Sequence, residues 1–303
     1  MPRETAPSLN EKLFFQKALE ENLRIDGRAF DQFRALELEF GDEYGVADVR
    51  LGKTRIHTHI SAQVTAPLPE KPFDGLFTLT TELSPMASPA FEVSRPTPTE
   101  LLLSRLLEKT IRRSQALDTE SLCLLAGQKV WAVRADVHVL SHDGNLVDAA
   151  SIAVIAALQH FRRPDVSVEG ESVVVFGLEE REPVPLSMLH FPLCVTFSFY
   201  DLGGGAGEEE GEMRVLIDAT SSEEMLRDGG CTVGMNRHGE VCQIAKLGGV
   251  PVDAVVLLNC IAVAGQKVRE ISDFVKGRLE SDRKKRDKGG WMEELRAEND
   301  RVS

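Results

Sequence analysis

The sequence predicts an α+β chain in which one arrangement, strands followed by a helix laid across them, occurs twice. Three observations predict it. Ile56, Thr58, Ile60, Ala62 and Val64 alternate with His57, His59, Ser61 and Gln63, the period-two pattern of a half-buried strand. An apolar helix, Ala149 to Phe161, follows that strand-rich stretch. The order then partly recurs: a strand at Val215 to Ile217, a hairpin at Val233 and Val241 to Ala245, and a long helix over about 252–279. No strict short-period repeat underlies the recurrence.

The elements follow in order. Ser8 and Glu11 fit a capping box opening a helix over 8–22, with Leu9, Leu13, Phe14 and Ala18 as its apolar stripe. Arg24-Ile25-Asp26-Gly27-Arg28 is a compact charged turn. Val49 and Leu51 lead to Gly52-Lys53, a two-residue hairpin signal. Phe77 and Leu79 mark another strand before a proline-rich connection from Pro85 to Pro98. Thr97, Pro98 and Glu100 then supply cap, first helical residue and third-position acid for a helix running to about Ala116. Its buried side is Leu102, Leu103, Leu106, Leu107 and Ile111. Leu122 to Ala126 and Val130 to Leu140 read as strands, and Asp143-Gly144 as a turn. Asp148 is placed to cap the apolar helix, which Arg162-Arg163-Pro164 stops. Short strands follow at Val173 to Phe176 and Leu193 to Phe199. Gly203 to Gly211 reads as a solvated flexible loop. Ser221 and Glu224 fit a cap for a short helix. These elements divide into a helical arm over 1–22, a first half over 23–185, a second over 186–275 and a charged tail over 276–303.

Composition narrows the function classes. The 303 residues carry 48 acids against 35 bases, a formal charge of −13. Such a chain repels nucleic acid at long range, so any contact with it needs a local basic patch or a larger assembly. Two places supply bases. The tail segment 276–288 holds seven bases and three acids. On the helix after Thr97, Arg105, Lys109 and Arg112 fall at i, i+4 and i+7, with Arg113 beside them. That stripe suits a phosphate backbone, although spacing alone favours a solvated face. The longest apolar runs, Ala149 to Leu158 and Val250 to Gly265, fall short of the ~18–20 residues of a membrane span. Met1 to Asn10 has no apolar leader core, so a secretory signal is not expected. The five cysteines are widely spaced without a C-x-x-C pair and read as reduced thiols, mostly buried.

Candidate chemistry is sparse. His57 and His59 share a strand face as metal ligands could, but no third ligand follows. Gly203-Gly204-Gly205 lacks the lysine and hydroxyl of a phosphate loop. Asp218, Glu223, Glu224 and Asp228 could hold Mg²⁺ or donate a proton, and read more simply as acids favoured at a helix start. The start of the apolar helix is the sharper case. A helix N-terminus is a natural phosphate site. Here Asn145, Leu146, Val147 and Asp148 offer no cation, and the Asp148 carboxylate is expected to compete for the N–H groups an anion would use.

These pieces, in this order, resemble the RNase PH family. The residues that carry the resemblance are Arg24 to Arg28, Asp31 to Phe33 with Glu37, Thr81 to Ala87, Ile111 to Asp118, Val130 to Val137, Asp143 to Ala149, and Ile217 to Thr220 with Glu223-Glu224. The match covers roughly residues 8–275 and is nearest to the non-catalytic RNase PH-type ring subunits of the RNA exosome. It implies an RNase PH-like fold, of the ribosomal protein S5 domain 2-like kind, with two duplicated sheet-plus-helix halves. It also implies a six-membered ring of related subunits, S1/KH-type cap proteins, RNA through the centre and a processive hydrolytic nuclease below. A nuclear, nucleolar and cytoplasmic location goes with it. Active members attack the 3′-terminal linkage with inorganic phosphate, held by a Gly-Ser/Thr-Arg-like segment that Asn145, Leu146 and Val147 replace here. They also carry two aspartates after the late strand. Glu224 stands at the first, and Asp228 falls about two residues short of the second. The resemblance therefore implies no catalytic residue, metal or cofactor in this chain, no membrane contact, and an RNA-contacting role for Arg105, Lys109, Arg112 and Arg113. The alternative is an active phosphate-dependent 3′-to-5′ exoribonuclease.

Overall fold

The computed structural model describes residues 7–92, 96–170, 172–177, 180–202 and 213–286. The expected loop Gly203 to Gly211 and the end of the tail, 287–303, lie outside them. The element order is α1 (Leu9–Glu20), β1 (Leu36–Phe40), β2 (Val46–Leu51), β3 (Thr54–Thr65), β4 (Leu76–Leu83) and α2 (Pro98–Leu107). A π-helical turn (Glu108–Arg113) and a 3₁₀ turn (Glu120–Leu122) lead to β5 (Cys123–Leu125), β6 (Lys129–Ser141) and α3 (Leu146–His160). Short strands β7 (Arg162–Arg163), β8 (Val166–Glu169), β9 (Ser172–Val175) and β10 (Val184–Pro185) form a connection. The second half is β11 (Leu193–Asp201), β12 (Met213–Ile217), α4 (Ser221–Leu226), β13 (Gly229–Met235), β14 (Val241–Lys246) and α5 (Ala254–Arg286).

Two sheets carry the architecture. The first runs β1-β2-β3-β6-β4, with β5 on the end of β6; β4 alone is parallel to its neighbour. The second runs β12-β11-β13-β14, antiparallel throughout. The expected duplication is present but unequal, six strands against four. Helix α3 lies between the sheets, touching β2 and β3 on one side and β11 on the other. Every α3 residue except Val147 and Gln159 is buried, as an all-round apolar helix requires. Alanines at 149, 150, 153, 156 and 157 let the sheets approach closely, and one continuous hydrophobic core spans both halves.

The structure corrects four local expectations. The Ser8–Glu11 capping box forms, but α1 buries Phe15 and Leu19; Leu9, Leu13 and Phe14 stay exposed. The reason is a separate small cluster in which Phe15 meets Tyr200 edge-on at 5.1 Å beside Leu216. α3 starts at Leu146, not after Asp148, because Gly144 (φ 82°) and Asn145 (φ 53°) turn the chain into it early. The α4 capping box is Thr220–Glu223, one residue before the expected Ser221–Glu224. α5 continues through residue 275 to Arg286, so the first part of the expected tail is helix. Its end is tied to the first half. Arg286 donates to the carbonyls of Gly41 and Asp42 and lies over Tyr44, and the Asp282 carboxylate sits 3.2 Å from His160 Nε2. All five cysteines are free thiols, three of them buried.

The charged turn clamps the two halves together. Asp218 is fully buried at a left-handed backbone position (φ 51°) after β12. Its carboxylate accepts from Arg34 Nη2 (2.8 Å), Arg34 N (2.7 Å), Arg28 Nη1 (2.9 Å) and Asn145 Nδ2 (2.7 Å). Buried Arg24 grips Glu223 at 2.7 Å and donates to the carbonyls of Ile217 and Asp218. Arg34 also donates to the carbonyls of Asp143 and Gly144. Burial works to raise the Asp218 carboxyl; the Arg34 guanidinium and the Asn145 amide outweigh it and hold the group below the ordinary aspartate range. At Gly144 the halves touch: a Cβ there would lie 2.5 Å from the Ala219 carbonyl and 2.6 Å from Ser221 N.

Removing one partner of a buried ion pair leaves a charge with no solvent. Arg34→Ala is therefore expected to cost about 3–5 kcal/mol of stability in denaturant titrations. Asp218→Asn keeps the shape and some hydrogen bonds, so it should cost less than Asp218→Ala. Gly144→Ala has no room and should destabilise comparably, although it removes no interaction. A near-neutral result for Arg34→Ala would mean the cluster is wet.

Candidate anion cleft and basic helix

The α3 N-terminus opens into a cleft of about 310 Å³ between α2, α4 and β13. Leu102, Leu103 and Leu106 of α2 wall one side, and Leu146 and Val147 line its floor. Thus three of the four residues singled out at this helix start, Asn145, Leu146 and Val147, do line one site. Asp148 does not. It is fully buried, and its carboxylate accepts from Thr196 N (2.9 Å), Thr196 Oγ1 (2.8 Å) and Asn145 Nδ2 (3.0 Å). The expectation that Asp148 competes for the helix N–H groups is therefore corrected. With α3 starting three residues earlier, Asp148 falls on the inner face and points at β11.

Another carboxylate stands beside the helix start, on the N–H of the cap residue. Glu224 Oε1 accepts from Asn145 N at 3.1 Å, at the mouth of α3. The register of the α4 cap explains this: Glu223 closes the box and binds Arg24, which leaves Glu224 to face the cleft. Burial pushes the Glu224 carboxyl up, against the pull of Arg227 and the Asn145 N–H. No side chain caps α3. The cleft also holds two side chains that sequence reasoning missed, an imidazole, His142, and a guanidinium, Arg227. The Arg227 guanidinium stands 3.6 Å from Glu224, so the pair adds no net charge. Asp228, the other acid of interest, lies outside the cleft and accepts from Asp201 N at 2.9 Å. The four acids from 218 to 228 are thus not a metal cage. Among the described residues no three His, Cys, Asp or Glu side chains gather as metal ligands, and His57 sits 3.8 Å from Asp48.

The basic helix is built differently from its spacing. Thr97 caps α2 as expected, accepting from Glu100 N at 3.3 Å. After Leu107 the coil widens into the π turn. Two hydroxyls sit on its backbone carbonyls: Thr110 Oγ1 donates to Leu106 O (2.9 Å), and Ser114 Oγ to Thr110 O (2.6 Å). Lys109, Arg112 and Arg113 thus sit on a coil wider than the α-helix their spacing assumes. Arg105 and Arg112 are both bridged by Glu108, at 3.4 and 3.1 Å. Lys109 and Arg113 have no ion-pair partner among the described residues. All four bases are exposed, and none lines the cleft that the same helix walls with leucines.

Burial pushes Asp148 up to about 7, against the pull of Thr196 and Asn145. The folded chain then holds a proton between about pH 4 and 7 that the unfolded chain releases. That contribution is complete in acid and lost as pH rises through about 7. Asp148→Asn cannot titrate. In melts from pH 5 to 8, its Tm relative to the unsubstituted chain should climb by several degrees; a constant gap would show that the carboxyl ionises freely.

Comparison with known proteins agrees with this geometry. The two models of the 3′ exoribonuclease family match, domain 1 over residues 32–164 and domain 2 over residues 190–267. Exosome complex component rrp45 of Schizosaccharomyces pombe is 49% identical over 287 residues, covering 95% of this chain and 96% of that protein. Exosome complex component RRP45 of Saccharomyces cerevisiae is 47% identical over 305 residues, covering 99% of each. A solved structure described as the Archaeoglobus fulgidus exosome with RNA bound to the active site superposes with a TM-score of 0.70 at 30% identity, over 86% of this chain and 97% of that one. Both halves, the core they share and the helix between them are accounted for by one lineage, and the chain belongs to the 3′ exoribonuclease, or RNase PH, family.

Proposed function

We propose that this chain is a ring subunit of an RNA exosome that shapes and steers RNA without cutting it. The observation that carries this is the start of α3, where Leu146 and Val147 line the floor and Glu224 accepts from Asn145 N at 3.1 Å. Phosphorolysis needs an orthophosphate there, held by N–H groups and cations. A carboxylate on the same N–H group repels that anion, and the one nearby guanidinium is already matched to it. The similarity to exosome components of two yeasts supports the assembly. Its neighbours would be other RNase PH-like subunits, with S1/KH-type caps above and a hydrolytic nuclease below, in nucleus, nucleolus and cytoplasm.

RNA contact falls to Arg105, Lys109, Arg112 and Arg113. In an acidic protein these exposed bases give local attraction, and Lys109 and Arg113, without acid partners among the described residues, are the stronger candidates.

The test is an incubation of the purified chain, alone and joined to its ring neighbour, with 3′-tailed RNA and phosphate. The chain alone should release no nucleoside diphosphate. Release that persists when the neighbour is inactivated, and stops with Asp228→Ala, would establish the exoribonuclease alternative. In the assembled complex, Lys109→Glu with Arg113→Glu should weaken RNA binding and lower its salt slope by about one to two, since each phosphate contact contributes roughly 0.7 for single strands. An unchanged slope would remove RNA from this helix.

A further inference from the structure

A second concavity, of about 290 Å³, lies beyond the C-terminal half of α3, between the β13–β14 turn, α5 and the segment before β11. It shares no lining residue with the cleft described above. Arg237, His238, Arg269, Lys276 and His190 line it, and Asp273 is the one acid among the lining residues. Asp273 pairs with Arg237 at 2.7 Å. Arg269 and Lys276, seven residues apart, fall on one face of α5, and neither has an ion-pair partner among the described residues. Three fixed cations against one acid leave a charge of +2 in a protein of −13.

Two buried polar atoms here lack partners. His190 Nε2 donates to the Ser114 carbonyl at 2.7 Å, which leaves Nδ1 buried and unmatched. Ser272, only 7% exposed, has an unmatched Oγ. It lines a small void that shares Phe191, Arg237 and Lys276 with the basic hollow. An unmatched buried hydroxyl beside unpaired cations is what an unfilled anion site looks like, whereas Nδ1, bare once Nε2 donates, is an acceptor and adds nothing for an anion.

We propose that this hollow binds a phosphate group, carried either by free orthophosphate or by a nucleoside monophosphate. A net charge of +2 matches a phosphate dianion, and a guanidinium fork matches two of its oxygens. Arg269 and Lys276 supply the charge, Arg237 turns from Asp273 to share it, and Ser272, beside the hollow, is the buried hydroxyl donor. The proposal is independent of the α3 cleft and of the RNA reading of α2.

Calorimetric titration of the full chain with orthophosphate and with AMP, at low ionic strength, tests it. The expected result is saturable binding of one equivalent. It should be weakened about tenfold or more by Arg269→Gln with Lys276→Gln, the loss of at least one charge-assisted hydrogen bond. Both positions are exposed on a helix, so circular dichroism should confirm that the double variant folds. Similar affinity for the two probes assigns the site to the free ion; clearly tighter AMP binding assigns it to the ester. Absence of saturation by ~10 mM of either probe, or equal affinity in the double variant, overturns the proposal.

Discussion

A buried aspartate with three arginines around it holds this chain in one piece. Asp218 stands where the second sheet meets the start of α3, and it is out of reach of water. Ionising it there is expensive unless cations and N–H donors surround it, and the cations come from another part of the chain. Arg28 and Arg34 reach it from the segment between α1 and β1, Asn145 from the mouth of α3, and Arg24 holds the adjoining backbone and Glu223. Everything near the cleft is set by this arrangement. It fixes the 143–145 turn, which starts α3 early, which in turn drives Asp148 inward and leaves the cleft mouth to Glu224.

On the proposed reading, the cleft keeps the geometry of a phosphate site without the cations that would hold the anion. The helix still points its N-terminus into a cavity between the halves, and the cavity is still roomy. What differs is the lining: leucine and valine at the helix start, and a carboxylate on the first N–H. On the proposed reading, selection has kept the scaffold because the ring needs its shape. The four bases from Arg105 to Arg113 do not line this cavity, so the two features can vary separately.

The sequence made the two-part architecture legible because it rests on local signals. Alternation at 56–64 gave β3, Gly52-Lys53 gave the hairpin, Ser8 and Thr97 gave true helix caps, and the apolar run gave α3. The cleft was legible only in part. The lack of a cation at 145–148 could be read directly, but the identity of the interfering carboxylate could not. It depends on a one-residue shift in the α4 cap and on two left-handed residues at 144–145, and neither leaves a periodic trace. The arginine clamp was visible only as a charged turn, since its partners lie some two hundred positions downstream. The π turn escaped for a similar reason: it follows from two hydroxyls on carbonyls rather than from hydrophobic spacing. The α1 stripe failed because burial there was decided by Tyr200 of the opposite half.

That separation along the chain bears on biosynthesis. A ribosome delivers Arg24 long before it delivers Asp218 and Glu223, and α3 long before the β11 strand that covers its second face. While the second half is still being made, a largely apolar helix and a set of unmatched guanidiniums are exposed on the nascent polypeptide. The first half therefore cannot mature as an early, self-sufficient unit. Completion of the shared core waits for the late strands.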